Sequence, residues 1–158
     1  MTFGDDRDYM WEGYFAGLTE PRHYEAVEYL RTLPIEVIAF DDVARTKQIV
    51  DQQVKELKAA GAEALFVHLP CWATPNIVVR AVQSMSLPTV TMTSKSAATH
   101  GMVGLFAAAG TLSQIGIDHI RVRDDFGASV FEDRLLPYFR AASARARLRG
   151  RVMGLYGG

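Results

Sequence analysis

Residues 64–82 have the sequence Ala-Leu-Phe-Val-His-Leu-Pro-Cys-Trp-Ala-Thr-Pro-Asn-Ile-Val-Val-Arg-Ala-Val. The apolar run from Ala64 to Val67 has the length and the residue types of a buried strand. Residues 68–76 are more polar and contain two prolines, and a helical pattern begins at Ile77. A strand that passes through a short loop into a helix is the building unit of an α/β fold with a parallel sheet.

The same alternation continues along the chain. Apolar runs predict strands at residues 35–40, 62–69, 88–92 and 117–122. Apolar residues at helical spacing predict helices at residues 21–33, 43–60, 101–115 and 131–149. Gly61 and Gly116 are suitable helix ends, and Asp41 or Asp42 is a suitable cap for the helix at 43–60. We therefore expect an open, mostly parallel α/β sheet of about four or five strands with helices on both faces, a flavodoxin- or Rossmann-like three-layer sandwich.

The central residues of these strands are expected to be buried. Strands that helices cover on both faces are apolar along their whole length rather than alternating. The prediction applies to Val37, Ile38, Leu65, Phe66, Val67, Val90, Ile120 and Val122.

The two ends of the chain look like parts of longer elements. Residues 1–6 resemble the last residues of a strand followed directly by a loop. Residues 150–158 resemble a new strand with a glycine turn. We therefore expect residues 1–149 to form one N-terminal α/β domain and residues 150–158 to begin a following domain.

Composition narrows the classes of protein. Of the 158 residues 49% are apolar and 22% are charged, which is the balance of a folded globular domain. The net charge of -1 gives no general attraction to nucleic acid or to an anionic membrane. The single cysteine, Cys71, forms no disulfide within the chain, and no segment resembles a signal peptide or a membrane span. We expect a soluble cytoplasmic protein that binds neither nucleic acid nor membrane.

Two side chains follow predicted strand ends, where open α/β sheets hold their ligands. Trp72 lies in the loop after the strand at 62–69, and a broad indole there suits the apolar face of a sugar or a neighbouring subunit. In that role it should be largely exposed; the alternative is an ordinary core or surface aromatic. Arg7 follows the short first strand and suits hydroxyls or a carboxylate, the alternative being a solvated charge cluster.

A second polar loop, residues 91–101, follows the strand at 88–92. It contains Lys95 and His100 together with five hydroxyl side chains, just before a predicted helix. The amide groups at a helix N-terminus favour an anion or a polar oxygen. The loop lacks the order of a nucleotide P-loop, so we consider a small polar ligand or a simple capping segment.

Neither a nucleophile nor a metal site is predicted. Cys71 lies near His68, but a lone cysteine is usually a small buried apolar residue, and strand-end neighbours alternate faces. No His-x-x-x-His or Cys-x-x-Cys spacing occurs in the chain. We assign no catalytic residue and no metal ligand.

Five segments together resemble the N-terminal domain of the family of L-fucose and L-arabinose isomerase-like sugar isomerases. The resemblance runs along essentially the whole chain, and Pro-Cys-Trp after a strand is its most specific element. It implies metal-dependent aldose–ketose isomerisation, usually with Mn²⁺, in chains much longer than this one. The metal ligands and the base of that family lie in later domains. The segments are Phe3–Arg7, Leu18–Arg22, Pro70–Trp72, Thr99–Gly104 and Gly154–Gly158.

The resemblance also implies roles for individual residues. In the family the N-terminal domain helps to close a pocket across a subunit interface, and an arginine and the tryptophan of Pro-Cys-Trp contact the sugar. This implies such contacts for Arg7 and Trp72, a homo-oligomer, and no cofactor in this chain. The chain departs from the family in having almost no first strand before Phe3.

Two interpretations of function stay open. The first is the N-terminal domain of a sugar isomerase, which supplies subunit assembly and contacts at the rim of the substrate site, and which is inactive alone. The second is a free-standing flavodoxin-like or periplasmic-binding-like module that binds a small polar ligand without catalysis. Monomeric behaviour with saturable ligand binding would favour the second interpretation.

Overall fold

A parallel sheet forms the middle layer of the protein. The computed structural model describes residues 1–96, 98–152, 154 and 156–157. Within that part of the chain, strands β1 (Leu65–His68), β2 (Thr89–Thr93) and β3 (Ile120–Arg123) lie side by side in this order, and each is parallel to the next. Parallel neighbours need a crossover, which α4 (Pro75–Met85) and α5 (Gly101–Gln114) supply. The prediction of an open parallel α/β sheet is confirmed, with three strands instead of four or five.

Helices cover both faces of this sheet. On one face, α3 (Lys47–Ala59) packs with α4 and α5 against Leu65 and Val67. On the other face, α2 (Ala16–Thr32) contributes Leu30 to a cluster with residues of β2 and β3. That face is completed by a π-helical turn (Phe131–Leu135), which continues into α6 (Leu136–Leu148). The three-layer arrangement follows from strands whose alternate side chains enter two separate cores.

The first residues of the chain extend the sheet beyond β1. Thr2 pairs in parallel with His68, and Phe3 pairs in parallel with Ala44. The Phe3 N–H donates to the His68 carbonyl at 2.9 Å, and the Ala44 N–H donates to the Thr2 carbonyl at 2.8 Å. The N-terminal segment therefore lies between β1 and Ala44 before it turns into α1 (Asp8–Met10).

The predicted strand at residues 35–40 is wrong. No strand pairing is found there among the described residues. A strand needs a neighbour for its backbone N–H and C=O groups, and the N-terminal segment meets this part of the chain only at Ala44. Local apolar character is therefore not sufficient to make residues 35–40 a strand, because no strand lies against them.

The set of strand residues expected to be buried is confirmed in part. Leu65, Val67, Val90 and Val122 are buried, which confirms half of the expected set. The prediction is wrong for the other four, which are half-buried. Two of these four line a cavity beside β1 and one begins the edge strand β3; the set is Val37, Ile38, Phe66 and Ile120.

Helix ends agree with the sequence in part. Gly61 and Gly116 adopt positive φ angles of 72° and 74° after α3 and α5, as expected for helix ends. The cap of α3 is Thr46, whose hydroxyl accepts from the Ile49 N–H at 3.3 Å, and not Asp41 or Asp42. Pairing of Ala44 with Phe3 keeps the chain extended up to that point.

The C-terminal prediction is tested only in part. Met153, Leu155 and Gly158 lie outside the described residues, so the proposed strand at 150–158 stays a prediction. The helix before it, α6, ends at Leu148. Within the described part of the chain, no helix combines the length and the apolar character needed to span a bilayer.

Candidate functional site

Loops from three chain segments meet at the carboxyl edge of the sheet. They follow the N-terminal segment, β1 and β2, and we name them the rim: residues 4–8, 69–74, 94–96 and 98–100. Cys71 and His100 form an antiparallel bridge, and the Thr74 hydroxyl donates to the Asp6 carboxylate at 2.6 Å. The loop that carries Trp72 is therefore tied to the other two loops. Parallel strands all end at the same edge of a sheet, so the loops that follow them lie together there, as expected from the sequence.

Arg7 is locked to its own loop by Asp5. Its Nε donates to one oxygen of the Asp5 carboxylate at 2.9 Å, and its Nη2 donates to the other at 2.6 Å. Asp5 is fully buried, whereas 47% of the Arg7 side chain is exposed. Burial alone would raise the pKa of Asp5, but the hydrogen bonds and charge of Arg7 hold that pKa below its usual value. The N–H groups of the Arg7 guanidinium that do not bind Asp5 are therefore held in a fixed orientation and are accessible from solvent.

Arg45 also holds the loop at residues 5–8 in place. Its Nε donates to the backbone carbonyl of Asp5 at 2.9 Å, and its Nη2 pairs with Asp8 at 2.8 Å. The guanidinium also lies 4.5 Å from the ring centroid of Trp11, within cation–π range. These contacts make residues 5–8 an ordered part of the rim.

Trp72 is half-buried, which is less exposed than expected from the sequence. The indole packs against a cluster of buried side chains in which Trp11 and Phe15 come from the π-helical turn Trp11–Phe15. Cys71 belongs to the same cluster. The domain itself therefore holds the indole in place, and the side chain stays partly open to solvent within the rim.

Two glycines of α5 allow the Trp72 loop to lie close to that helix. A Cβ at position 104 would lie 2.6 Å from the Cys71 carbonyl oxygen. A Cβ at position 101 would lie 2.7 Å from the Leu69 carbonyl oxygen. Real Cβ atoms do not approach backbone oxygens this closely, so both positions exclude larger residues without a shift of the loop.

His100 is an exposed side chain at the start of α5. Its φ angle of 55° is left-handed, which is unusual for a residue other than glycine, and its side chain does not cap the helix. The imidazole lies 6.4 Å from the ring of Tyr14 and 6.3 Å from the ring of Phe15. The bridge with Cys71 fixes this backbone and places the imidazole at the rim.

Lys95 occupies a separate section of the rim. Its ammonium pairs with Asp124 at 2.5 Å, and its backbone N–H donates to the Asp125 carboxylate at 3.0 Å. The hydrogen bond and charge of Asp124 raise the pKa of Lys95, so it is protonated at neutral pH. These contacts tie Lys95 to the end of β3, and no described contact joins it to Arg7, Trp72 or His100.

Cys71 and His68 do not form a catalytic pair. Cys71 is fully buried, and burial raises the pKa of its thiol, which disfavours the nucleophilic thiolate. Burial lowers the pKa of His68 to about 3, and its ring contacts the Thr2 hydroxyl at 3.4 Å. Both residues are structural, in agreement with the interpretation favoured by the sequence.

Among the residues that the structure describes, the acidic and histidine side chains do not fit a manganese ion. Within the described part of the chain, no three His, Cys, Asp or Glu side chains lie together as metal ligands would. The carboxylate of Asp5 in the rim and that of Asp124 after β3 form ion pairs with Arg7 and Lys95. On α2, Glu20 and His23 have a ligand-like spacing, but Glu20 is exposed and His23 is buried, with its ring bonded to Thr2 and Phe40 at 2.8 Å each. That spacing therefore makes no site.

Three supporting residues were not identified from the sequence. Arg45 holds the loop that carries Arg7. Asp124 pairs with Lys95. Arg22 donates from Nη1 to the Ser94 hydroxyl at 3.0 Å. A signal that could have identified Asp124 is its position two residues after the predicted strand at 117–122. Arg22 and Arg45 come from distant segments, and no local pattern indicated their partners.

Comparison with known protein families matches residues 22–150 to the family described as L-fucose isomerase, first N-terminal domain. The matched range contains Trp72, Lys95 and His100, and Arg7 precedes it. Neither the curated proteins nor the solved structures give a match. Because the matched range covers most of the chain, the chain belongs to the L-fucose isomerase family, in which it corresponds to the first N-terminal domain.

Proposed function

We propose that this domain contributes sugar contacts and a subunit contact to a metal-dependent aldose–ketose isomerase. The observation that carries the proposal is the rim, in which Arg7, Trp72 and His100 come from three loops at one sheet edge. Contacts between Cys71 and His100 and between Thr74 and Asp6 tie those loops together. Family membership supplies the reaction class.

Each proposed contact matches a property of a sugar. The open part of the Trp72 indole suits an apolar C–H face, because aromatic rings offer broad contact area at little entropic cost. Arg7 donates hydrogen bonds to hydroxyl groups from a guanidinium that Asp5 already orients. His100 adds a donor or acceptor beside them, and Lys95 contacts groups farther along the edge.

A patch on α5 supports a role in assembly. Three apolar side chains of this helix, Met102, Val103 and Phe106, are 39%, 51% and 59% exposed. The hydroxyl of Tyr14, itself exposed, donates to the Ala98 carbonyl at 3.3 Å beside the same helix end. Contiguous exposed apolar side chains commonly form subunit interfaces. We propose that a second copy covers this patch in a homo-oligomer and closes the neighbouring rim.

The catalytic centre is proposed to lie in other domains. Moving a proton between sugar carbons needs a positioned base and an electrophile on the sugar oxygens. The carboxylate of Asp5 is paired with Arg7 and that of Asp124, after β3, with Lys95, so neither is placed to act as base or metal ligand.

The proposed compartment is the cytoplasm, since Cys71 is a buried free thiol.

The free-standing binding module finds less support. A cavity of about 770 Å³ lies beside β1, and none of its lining residues belongs to the rim. The residues that the sequence offers for a small polar ligand, Lys95 and His100, do not line this cavity.

Titration with sugars tests the rim directly. L-Fucose and L-arabinose should shift the NMR signals of the Trp72 indole N–H and of the amides at 5–8 and 98–101, with weak affinity. Trp72→Ala should remove these shifts and leave the remaining spectrum folded. Tyr24→Ala is the matched control, since Tyr24 is an exposed aromatic on α2 outside the rim. Shifts that Trp72→Ala leaves unchanged would overturn the proposed contact.

A further inference from the structure

Helix α6 and the residues directly after it carry arginines that the fold of the domain does not use. All of them are exposed, and among the described residues no ion pair is found for any of them. The last turn of a helix favours basic side chains, but Arg140 lies two turns before the end of α6. Like charges four residues apart also destabilise a helix, and Arg145 and Arg149 have this spacing. We name these residues the arginine face: Arg140, Arg145, Arg147, Arg149 and Arg151.

The arginines flank the open side of α6. At 3.6 residues per turn, Ala141, Ala144 and Leu148 lie on the side of the helix opposite the buried Ala142. All three are exposed, and Leu148 is 59% exposed. Small side chains at this position allow a second helix to approach α6 closely. One row of arginines lies on each side of these residues: Arg140 with Arg147, and Arg145 with Arg149.

Helix α2 presents the opposite charge on the same face of the sheet. Both helices contribute to the layer that covers β2 and β3. The exposed side of α2 has three glutamates, for which no ion pair is found in the described part of the chain, and one arginine, Arg31, in the last turn. Tyr24 lies among the glutamates and is 54% exposed. We name these residues the glutamate face: Glu20, Glu25 and Glu28.

The two helices run in the same direction, from the carboxyl edge of the sheet to its amino edge. Helix α2 follows Phe15, which packs against the rim, and Pro34 after it lies with Ala60 near the start of β1. Helix α6 follows β3, and Arg145 near its end lines a groove with Pro88, just before β2. A two-fold axis parallel to both helices therefore places α2 of each copy against α6 of the other. Every contact then occurs twice, as in a closed dimer.

We propose that the arginine face of α6 binds the glutamate face of α2 in a second copy of this chain, which gives a two-fold dimer through this face of the sheet. Glu28 lies at the centre of the exposed side of α2 and faces Arg145 and Arg147 of the second copy. Tyr24 and Leu148 supply apolar contact between the two helices, and arginine is common in such interfaces. Charge complementarity of this kind fixes the register of a complex.

This contact goes beyond the proposed function and is separate from it. The exposed patch on α5 lies on the other face of the sheet, so both surfaces can be covered in one oligomer. A nucleic acid fits the arginine face less well. The net charge of the chain is -1, and residues 141–150 contain no aromatic side chain on which a base could stack.

Sedimentation equilibrium of the 158-residue chain with a charge swap tests the proposal. Phe106→Glu first places a charge in the α5 patch, so that the remaining self-association reports the contact between α2 and α6. In this background Glu28→Arg and Arg147→Glu should each raise the dimer Kd by at least about tenfold, and the two together should restore it to within about threefold. Raising NaCl from about 50 mM to about 500 mM should also raise the Kd by at least about tenfold.

Glu56→Arg is the matched control, because Glu56 is exposed on α3, on the other face of the sheet. It should change the Kd by less than about twofold. A Phe106→Glu chain that stays monomeric at about 100 μM in about 50 mM NaCl would overturn the proposal, whereas the sugar titration of the rim can still be carried out on that monomer. A dimer that neither charge reversal weakens, or a double variant no better than the single ones, would also overturn it. So would an arginine face that binds a single-stranded oligonucleotide while its reversal leaves self-association unchanged.

Discussion

Replacing Gly104 by alanine should displace the loop that carries Trp72. The new Cβ would lie 2.6 Å from the Cys71 carbonyl oxygen, which is backbone and has no side-chain freedom to move away. Overpacking of this kind costs about 1–3 kcal/mol of folding free energy. The indole, which packs beside Cys71, should shift with the loop.

Gly110→Ala is the matched control within the same helix. Gly110 is exposed, and a Cβ there would meet nothing within 4 Å. Both substitutions gain about 0.8–1.0 kcal/mol in helix propensity, so the two variants should differ by the steric cost alone. Urea unfolding measures that difference, and tryptophan fluorescence reports the shift of the indole. Equal stability of the two variants would refute the close approach of α5 to the rim.

Three further predictions concern charge, thiol reactivity and catalysis. The folded-state pKa of Asp5 lies below its ordinary value of 3.8, so its ion pair should stabilise the fold above about pH 4 and lose that contribution as the pH falls further. Asp5→Asn should lower the Tm at pH 7 and flatten this acid limb; an unchanged limb would contradict the Asp5–Arg7 lock. Cys71 should react with an aromatic disulfide at least about tenfold more slowly in the folded chain than in urea, because it is buried and its thiol pKa is raised. Equal rates would show that the thiol is accessible. The isolated chain should not interconvert L-fucose or L-arabinose with their ketoses, with or without Mn²⁺. Turnover that survives a mock-purification control would place a catalytic centre in this chain.

Much of the fold was predictable because its signals are local. The segment at residues 64–82 contains a strand, a loop and a helix in sequence, and each has its own period or turn residues. Parallel pairing then follows from the alternation of strand and helix. The strand predicted at 35–40 failed because its partner, the N-terminal segment, reaches only Ala44.

The candidate site was predictable in position but not in detail. Arg7, Trp72 and His100 lie at one edge because parallel strands share the direction in which they end. Sequence did not indicate that Asp5 would lock Arg7, since four charged residues in a row usually form a solvated cluster. Nor did it indicate that Trp11 and Phe15 would half-bury Trp72, because those contacts join segments about sixty residues apart.

Under the proposed function, the rim contacts a sugar through the Trp72 indole. Intermolecular nuclear Overhauser effects between the carbon-bound protons of L-fucose and the indole protons of Trp72 test it most directly. We expect such effects at high sugar concentration, with weaker ones to His100 and none to Tyr24. Effects confined to residues outside the rim, or an indole that shows none while the sugar binds elsewhere, would contradict it.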